Sequence, residues 1–255
     1  MIRFDLALFQ ALNAEYETKP VVRNARDYAP QVIADRGAKV SRTLGERFQL
    51  NGKRVLEIGC GRDEVATALA DGHGCQVTAI DLRRHEQWQA APNVTFRRLD
   101  LAAPGGEDLG TFDFIYSNSV WEHLKHPTTM LARAHDALAP GGDFYLVANL
   151  YRGPVASHRY REVFFPWPHL LFTDDVFEQF YASIGRKPAR PSWVNKLSVS
   201  DYLIQFQTLG FELRDLKYTL RPIDEPFYQR FVDVLGRYPR FDLERDFIKV
   251  HLRKS

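Results

Sequence analysis

The sequence predicts a doubly wound α/β fold, a mostly parallel sheet of seven strands with helices on both faces and an aromatic-rich insertion after strand five. Three observations carry that expectation. Residues 53–62, KRVLEIGCGR, run from an apolar stretch (Val55, Leu56, Ile58) into a turn with Gly59 and Gly61 two apart, after which VATALA resumes with helical spacing. Apolar runs and helix-period segments then alternate up to residue 150, as crossover connections between parallel strands require. Residues 149–197 break the alternation with five prolines and ten aromatics, too irregular for a simple crossover and typical of a functional loop.

The elements follow in order. Residues 24–50 place Val32, Ile33, Val40, Leu44 and Phe48 roughly on one stripe, an amphipathic helix. CQVTAID (75–81) is a β-branched run ending in an acid, and NVTFRRLDL (93–101) a short alternating strand with an acid near its end. FDFIYSNS (112–119) is a third apolar run, ending in small polar residues. PTTMLARAHDALAPGG (127–142) spaces Met130, Leu131, Ala134, Ala137 and Leu138 as a helix does and stops at Pro140-Gly141-Gly142. DFYLVANL (143–150) is the fifth strand. LSVSDYLIQFQTLG (197–210) reads as a helix with Ser198 or Ser200 near its cap and Gly210 at its end. FELRDLKYTL (211–220) and RDFIKVHLRK (245–254) read as strands with a short helix around 225–236 between them. The expected division is an N-terminal helical cover (1–50), a cofactor-binding core (51–150), a substrate-binding insertion or lid (151–197) and a C-terminal part of the same sheet domain (198–255).

Composition narrows the function. With 45% hydrophobic and 26% charged residues, the chain has ample material for a core. A net charge of +2 gives no strong field for nucleic acid or an acidic membrane. The two cysteines, Cys60 and Cys75, form neither a disulfide framework nor a zinc spacing, so no metal site is expected and a reducing compartment is. The N-terminal MIRFDLALFQ has too short an apolar run for a signal peptide, and no stretch approaches the ~20 residues of a spanning helix. A cytoplasmic protein without membrane insertion is the expectation.

The glycine turn needs a ligand that backbone can approach closely, because glycine carries no Cβ. A dinucleotide site would continue as G-x-G-x-x-G, but the third glycine's place is taken by Glu64, which repels a pyrophosphate at a helix N-terminus. No G-K-S/T follows for a P-loop. A cofactor without phosphates fits better, and a nicotinamide-dependent oxidoreductase is the weaker alternative.

At these residues the chain resembles the class I S-adenosylmethionine-dependent methyltransferases, of the methyltransferase type 11-like group, whose first motif reads V-L-E-I-G-C-G. The likeness covers residues 50–150 closely and 197–254 more loosely, and adds the Rossmann-like methyltransferase architecture to the fold expectation. It implies that Glu57, Gly59, Cys60 and Gly61 cradle the methionine part of S-adenosyl-L-methionine. Asp81, followed by Leu82, matches the acid that accepts both ribose hydroxyls, which two carboxylate oxygens suit. Asp100 and Leu101 match the pair at the adenine, and Ser117 ends the strand that faces the sulfonium. VWEHLKHP resembles the family's L-E-H-V-x-x-P stretch, and LAPGGDFYLVA its L-K-P-G-G turn. Many members carry a third glycine where this chain has Asp63, which alters the loop or caps the next helix.

His123 is the candidate general base, with Glu122 beside it orienting the acceptor. A hydroxyl nucleophile is poor while protonated, and imidazole titrates near neutrality. The alternative is that Glu122 and His123 only orient or pack, and His158 and His169 are rival bases. His158, Tyr160, Trp167 and Trp193 of the insertion are candidates for holding the acceptor. The same aromatics otherwise form a satellite core. Asp174-Asp175 reads as a helix start rather than a metal site. The expected activity is methyl transfer to a small-molecule acceptor, most of all a hydroxyl oxygen, with a sugar or glycoconjugate as one candidate acceptor. N- or C-directed transfer and a catalytically silent partner protein are the alternatives. SNSV stands where amino-directed nucleic-acid methyltransferases carry their Pro-Pro-aromatic motif, so no nucleic acid is expected.

Overall fold

The apolar runs around the glycine turn become β1 (Arg54–Ile58), β2 (Gln76–Asp81), β3 (Val94–Arg98) and β4 (Phe112–Asn118), each parallel to its neighbour. With β5 (Leu138–Asn149), β6 (Phe211–Leu220) and β7 (Arg245–Lys254) they form one mixed seven-stranded sheet in the order β3-β2-β1-β4-β5-β7-β6. The computed structural model describes residues 2–22, 29–89, 91–103, 109–187, 190 and 194–255. Val55, Leu56 and Ile58 on β1 are almost wholly buried, as expected of a central strand covered on both faces.

The helices are α1 (Leu6–Glu15), α2 (Pro30–Phe48), α3 (Glu64–His73), α4 (Pro127–Ala137), α5 (Pro168–Leu171), α6 (Asp174–Ser183), α7 (Val199–Thr208), α8 (Glu225–Arg230), α9 (Val232–Leu235) and α10 (Arg240–Leu243). Of the helix expected over 24–50, residues 24–28 lie outside the described residues. α2 opens on a proline at its first turn and closes at Gln49, whose φ is 51°. The expected helix over 127–142 is shorter. α4 ends at Ala137, Leu138 already pairs with Phe112, and pairing resumes only at Asp143 with Phe114. Pro140 has no N–H to donate and Gly141 takes φ 72°, so residues 139–142 bulge out of the ladder instead of extending the helix. The single helix around 225–236 is two, α8 and α9, separated at Phe231 (φ −119°).

The chain divides into two compact units. The first takes α1, Asn149–Ser200 and Tyr218–Ile248. Its core is aromatic: Phe9 of α1 is fully buried, with ring centroids 5.1 Å from Phe165, 5.0 Å from Phe172, 5.1 Å from Phe177 and 4.6 Å from Phe180. The three edge-to-face pairs among them, with Phe165, Phe172 and Phe177, add about 0.5–1.5 kcal/mol each to their burial. The second unit holds α2 to Ala148, Asp201–Lys217 and Lys249–Ser255. There α2 packs on α3, with Leu44 and Phe48 joining Val55, Ala66, Leu69 and Val77 in one apolar cluster. Residues 1–50, read as one cover, are thus divided between the units, and residues 218–248 cluster with the insertion. Helices can satisfy their apolar stripes wherever a complementary face lies, and α1 finds its own among the insertion's phenylalanines.

Candidate active site

Three strand ends lie abreast. Ile58 of β1 pairs with Ile80 of β2 on one side and with Ser117 of β4 on the other, so the residues just beyond them share one edge of the sheet. The chain leaves β1 with Gly59 and Cys60 both donating their N–H to the Ile80 carbonyl, at 2.8 and 3.1 Å. Gly59 (φ 74°) and Gly61 (φ 56°) hold left-handed conformations. A Cβ on Gly59 would overlap the Val120 side chain, whereas one on Gly61 would meet nothing within 4 Å. The first glycine is required for space as well as backbone, the second for backbone alone and for an open approach.

Asp81 sits at the end of β2 and holds this turn. Its Oδ2 accepts from the Gly61 N–H at 3.0 Å, and its Oδ1 accepts from the Arg83 N–H at 3.0 Å. Each oxygen keeps a further lone pair for a ligand. The Asp81 carbonyl accepts from Leu99 N–H at 2.9 Å, which draws the Asp100–Leu101 pair alongside. Asp100 is exposed and accepts from the Ala102 N–H at 3.0 Å, a local turn, while Leu101 is buried. Leu82 is 58% exposed.

Glu57 is buried beneath the turn. One carboxylate oxygen is hydrogen-bonded by the Ala66 backbone, and Oε2 has no hydrogen-bond partner among the described residues. Burial, then the nearby Glu64 charge, push its carboxyl well above the usual carboxylate range. Cys60 is buried too, and burial followed by the Glu57 and Asp81 charges raise its thiol, so it is no nucleophile. Ser117 is fully buried and donates to the Ile58 carbonyl at 2.9 Å, tying β4 to β1. Asp63 occupies the cap position of α3 (φ −99°), but its side chain makes no cap hydrogen bond, so the capping expectation fails; helical φ/ψ turns the carboxylate away from the N–H groups. Glu64 instead pairs with Arg36 of α2, Oε1 to Nη2 at 2.6 Å.

Beyond β4, Ser119 turns the chain with φ 58°, and Trp121–His123 form one 3₁₀ turn. This turn buries Glu122 and leaves His123 exposed, with a carboxylate oxygen of Glu122 and a ring nitrogen of His123 within 4.8 Å of each other.

The insertion's candidates belong to the other unit. His158 (φ 56°) places Nε2 3.2 Å from Asn149 Oδ1, and Tyr160 is half-buried. Trp193 lies outside the described residues. Trp167 is a correction: it is 1% exposed, packs in the aromatic core and donates its indole N–H to the Leu243 carbonyl at 3.2 Å. A ring enclosed by protein offers no face to an acceptor, and the same holds for Phe165. His169 is buried with Nε2 on the Tyr151 carbonyl, and burial drives its pKa to about 4, which removes it as a base. Asp174 and Asp175 lie in the first turn of α6, where the helix dipole favours them. Sequence reasoning missed Trp88, whose indole N–H donates to the Gly61 carbonyl at 2.8 Å. An aromatic seven residues past a strand-end acid was the available signal.

The residues present fit S-adenosylmethionine. An ammonium finds a buried carboxylate oxygen in Glu57, a diol finds the free lone pairs of Asp81, and the bare Gly61 turn admits close approach. The comparisons agree. A family model described as a methyltransferase domain matches residues 26–214, more than half of the chain. Over 120 residues the chain is 31% identical to a ubiquinone biosynthesis O-methyltransferase of Pseudomonas aeruginosa, covering 44% of this chain and 51% of that protein. The chain thus spans about half the length of the curated relatives it matches. The fold is shared with an S-adenosylmethionine-dependent methyltransferase from Mesorhizobium loti (TM-score 0.55, 19% identity, 87% of this chain and 100% of that one). It is shared also with the 1,6-didemethyltoxoflavin-N1-methyltransferase of Burkholderia thailandensis, solved with S-adenosylhomocysteine (TM-score 0.51, 17% identity, 98% and 87%). The chain belongs to the class I S-adenosylmethionine-dependent methyltransferase family.

Proposed function

We propose that the enzyme methylates a hydroxyl oxygen of a small molecule, with His123 as the general base. The observation that carries this is the exposed imidazole directly beyond the end of β4, on the turn that follows the strand-end serine. The O-methyltransferase relatives support the choice of oxygen. S-adenosylmethionine supplies a methyl group activated on a sulfonium, and its transfer is an in-line displacement. The chain's own task is then to orient, to exclude water and to take one proton. Glu57 accepts from the ammonium of the methionine end, Asp81 from the ribose hydroxyls and Asp100 from the adenine amine, with Leu101 against the ring. Gly59, Cys60, Gly61 and Leu82 contribute backbone contacts. Ser117 fixes the floor through β1, and Glu122 orients the acceptor. A sugar or glycoconjugate is the preferred acceptor class, and two buried free thiols suit the cytoplasm.

Incubation with S-adenosylmethionine and a panel of phenolic, sugar and amine acceptors, read as S-adenosylhomocysteine formed, tests the reading. Turnover with hydroxyl acceptors is expected, and turnover confined to amines would replace O- by N-transfer. His123→Ala is expected to lower kcat about 100-fold or more and to leave S-adenosylhomocysteine affinity intact. Wild-type rates in that variant across pH exclude the base.

A further inference from the structure

The two glycines that open the turn give it no side chains of its own, and Gly61 faces empty space. Nothing steric confines this peptide. It is held instead by hydrogen bonds at both ends: Asp81 Oδ2 on its N–H at 3.0 Å and the Trp88 indole N–H on its carbonyl at 2.8 Å. Trp88 is itself seated. Its ring stacks on Phe96 of β3, centroids 5.4 Å apart and planes 17° from parallel, and the His85 ring lies 5.8 Å away. His85 Nε2 in turn lies 3.7 Å from Asp81 Oδ1. Residues 82–88 therefore run as a strap from the end of β2 back over the turn, anchored on the next strand.

We propose that Trp88 is a positioning residue of the cofactor site: its indole N–H holds Gly61 in the left-handed conformation that receives S-adenosylmethionine. Asp81 faces both ways, toward the turn and toward the ribose it accepts in the reading above, so it needs a second tether to keep the turn in place when a ligand shares its oxygens. Trp88 is that tether. It contacts backbone of the site and no reacting atom. The need is greater here because Asp63 stands where a third glycine would let the loop settle differently, and because freezing a glycine costs more conformational entropy than freezing any other residue.

Trp88→Phe keeps the ring on Phe96 and removes only the N–H. Calorimetric titration with S-adenosylhomocysteine is expected to show the dissociation constant raised about 5- to 10-fold, the value of one net hydrogen bond. The emission change that S-adenosylhomocysteine causes in the wild-type protein is expected to shrink in the variant, since Trp121 and Trp167 are sealed in their cores. A merely structural role would lower the melting temperature and leave the affinity of the folded protein unchanged, and that result overturns the proposal. If Trp88→Phe does not fold by circular dichroism, Phe96→Leu loosens the indole's seat and keeps its N–H. A two- to threefold loss of affinity is then expected, and wild-type affinity overturns the proposal. Absence of binding by the wild-type protein itself would instead overturn the cofactor assignment on which this rests.

Discussion

Gly59 and Gly61 share a backbone conformation and differ in what surrounds them. Gly59→Ala combines a left-handed strain of about 1–2 kcal/mol with an overlap on Val120. It is expected to destabilise by about 3 kcal/mol or more in urea unfolding. Gly61→Ala, with the strain alone, is expected to cost about 1 kcal/mol, and equal losses would show that Val120 yields freely. Asp81 is tested through binding: Asp81→Ala is expected to weaken S-adenosylhomocysteine by about 2–4 kcal/mol, two charge-assisted hydrogen bonds. Unchanged affinity would remove the ribose role. At this scale the sequence was most legible where a residue type has a single physical use, as at the two glycines. It was least legible at Trp167, because an aromatic in a proline-rich stretch serves a core as well as a ligand, and only burial separates the two.

Between elements, α2 and α3 meet along a stripe of small residues. A Cβ at Gly37 would overlap the Glu64 backbone, and one at Gly45 the His73 ring, while Ser41 between them donates to the Ala68 carbonyl at 2.8 Å. The close approach lets Arg36 reach Glu64 beside the cofactor turn. Gly37→Ala is expected to destabilise by about 2 kcal/mol despite alanine's helix propensity of about 1 kcal/mol over glycine, because backbone cannot move aside. Gly45→Ala is expected to cost less, since an imidazole can turn away. Chemical denaturation of the two variants ranks them, and the reverse order would refute the packing account. The apolar stripe of α2 was visible as helical periodicity, although its Val32 is exposed, but the small residues that bring α3 close were not: periodicity marks a buried face without naming what buries it. The same limit explains α1, and the bulge at Pro140-Gly141-Gly142 was read as a helix stop because turn residues end helices and interrupt strands alike.

Over the whole molecule, the pH dependence of stability follows from three buried groups. His169 is neutral when folded, with a pKa of about 4 against about 6.5 unfolded, and its Nδ1 has no hydrogen-bond partner among the described residues. The unfolded chain therefore binds the extra proton first. This stability is complete above pH 6.5 and is lost as pH falls toward 4, about 3 kcal/mol in all. Burial pushes Asp143 up, but His251 at 2.7 Å and Arg253 at 2.9 Å outweigh it and hold the carboxyl at about 2. Its contribution is present above about pH 4 and lost only below. Glu57 acts in the opposite sense, since a raised carboxyl loses stability as pH climbs above 4.5. His169→Gln is expected to flatten the fall in unfolding free energy between pH 6.5 and 4 and to leave the fall below 4 in place. An unaltered slope would place the acid sensitivity elsewhere. None of this was readable from the sequence, because a titration depends on burial and neighbours rather than on residue type, whereas fold class and cofactor class follow from motif order.

The aromatic core that joins α1 to the insertion sets the order of events during synthesis. Phe9 and Leu12 leave the ribosome well before Phe165, Phe172 and Phe177, which enclose them and follow more than 150 positions later. At about 5–20 residues per second, this helix spends on the order of 10–30 s outside the ribosome with its apolar side uncovered. Closing so long a loop costs several kcal/mol of chain entropy before any ring contact forms. Over that interval the apolar side of α1 is open to aggregation and to chaperone capture, even after the central strands have begun to pair.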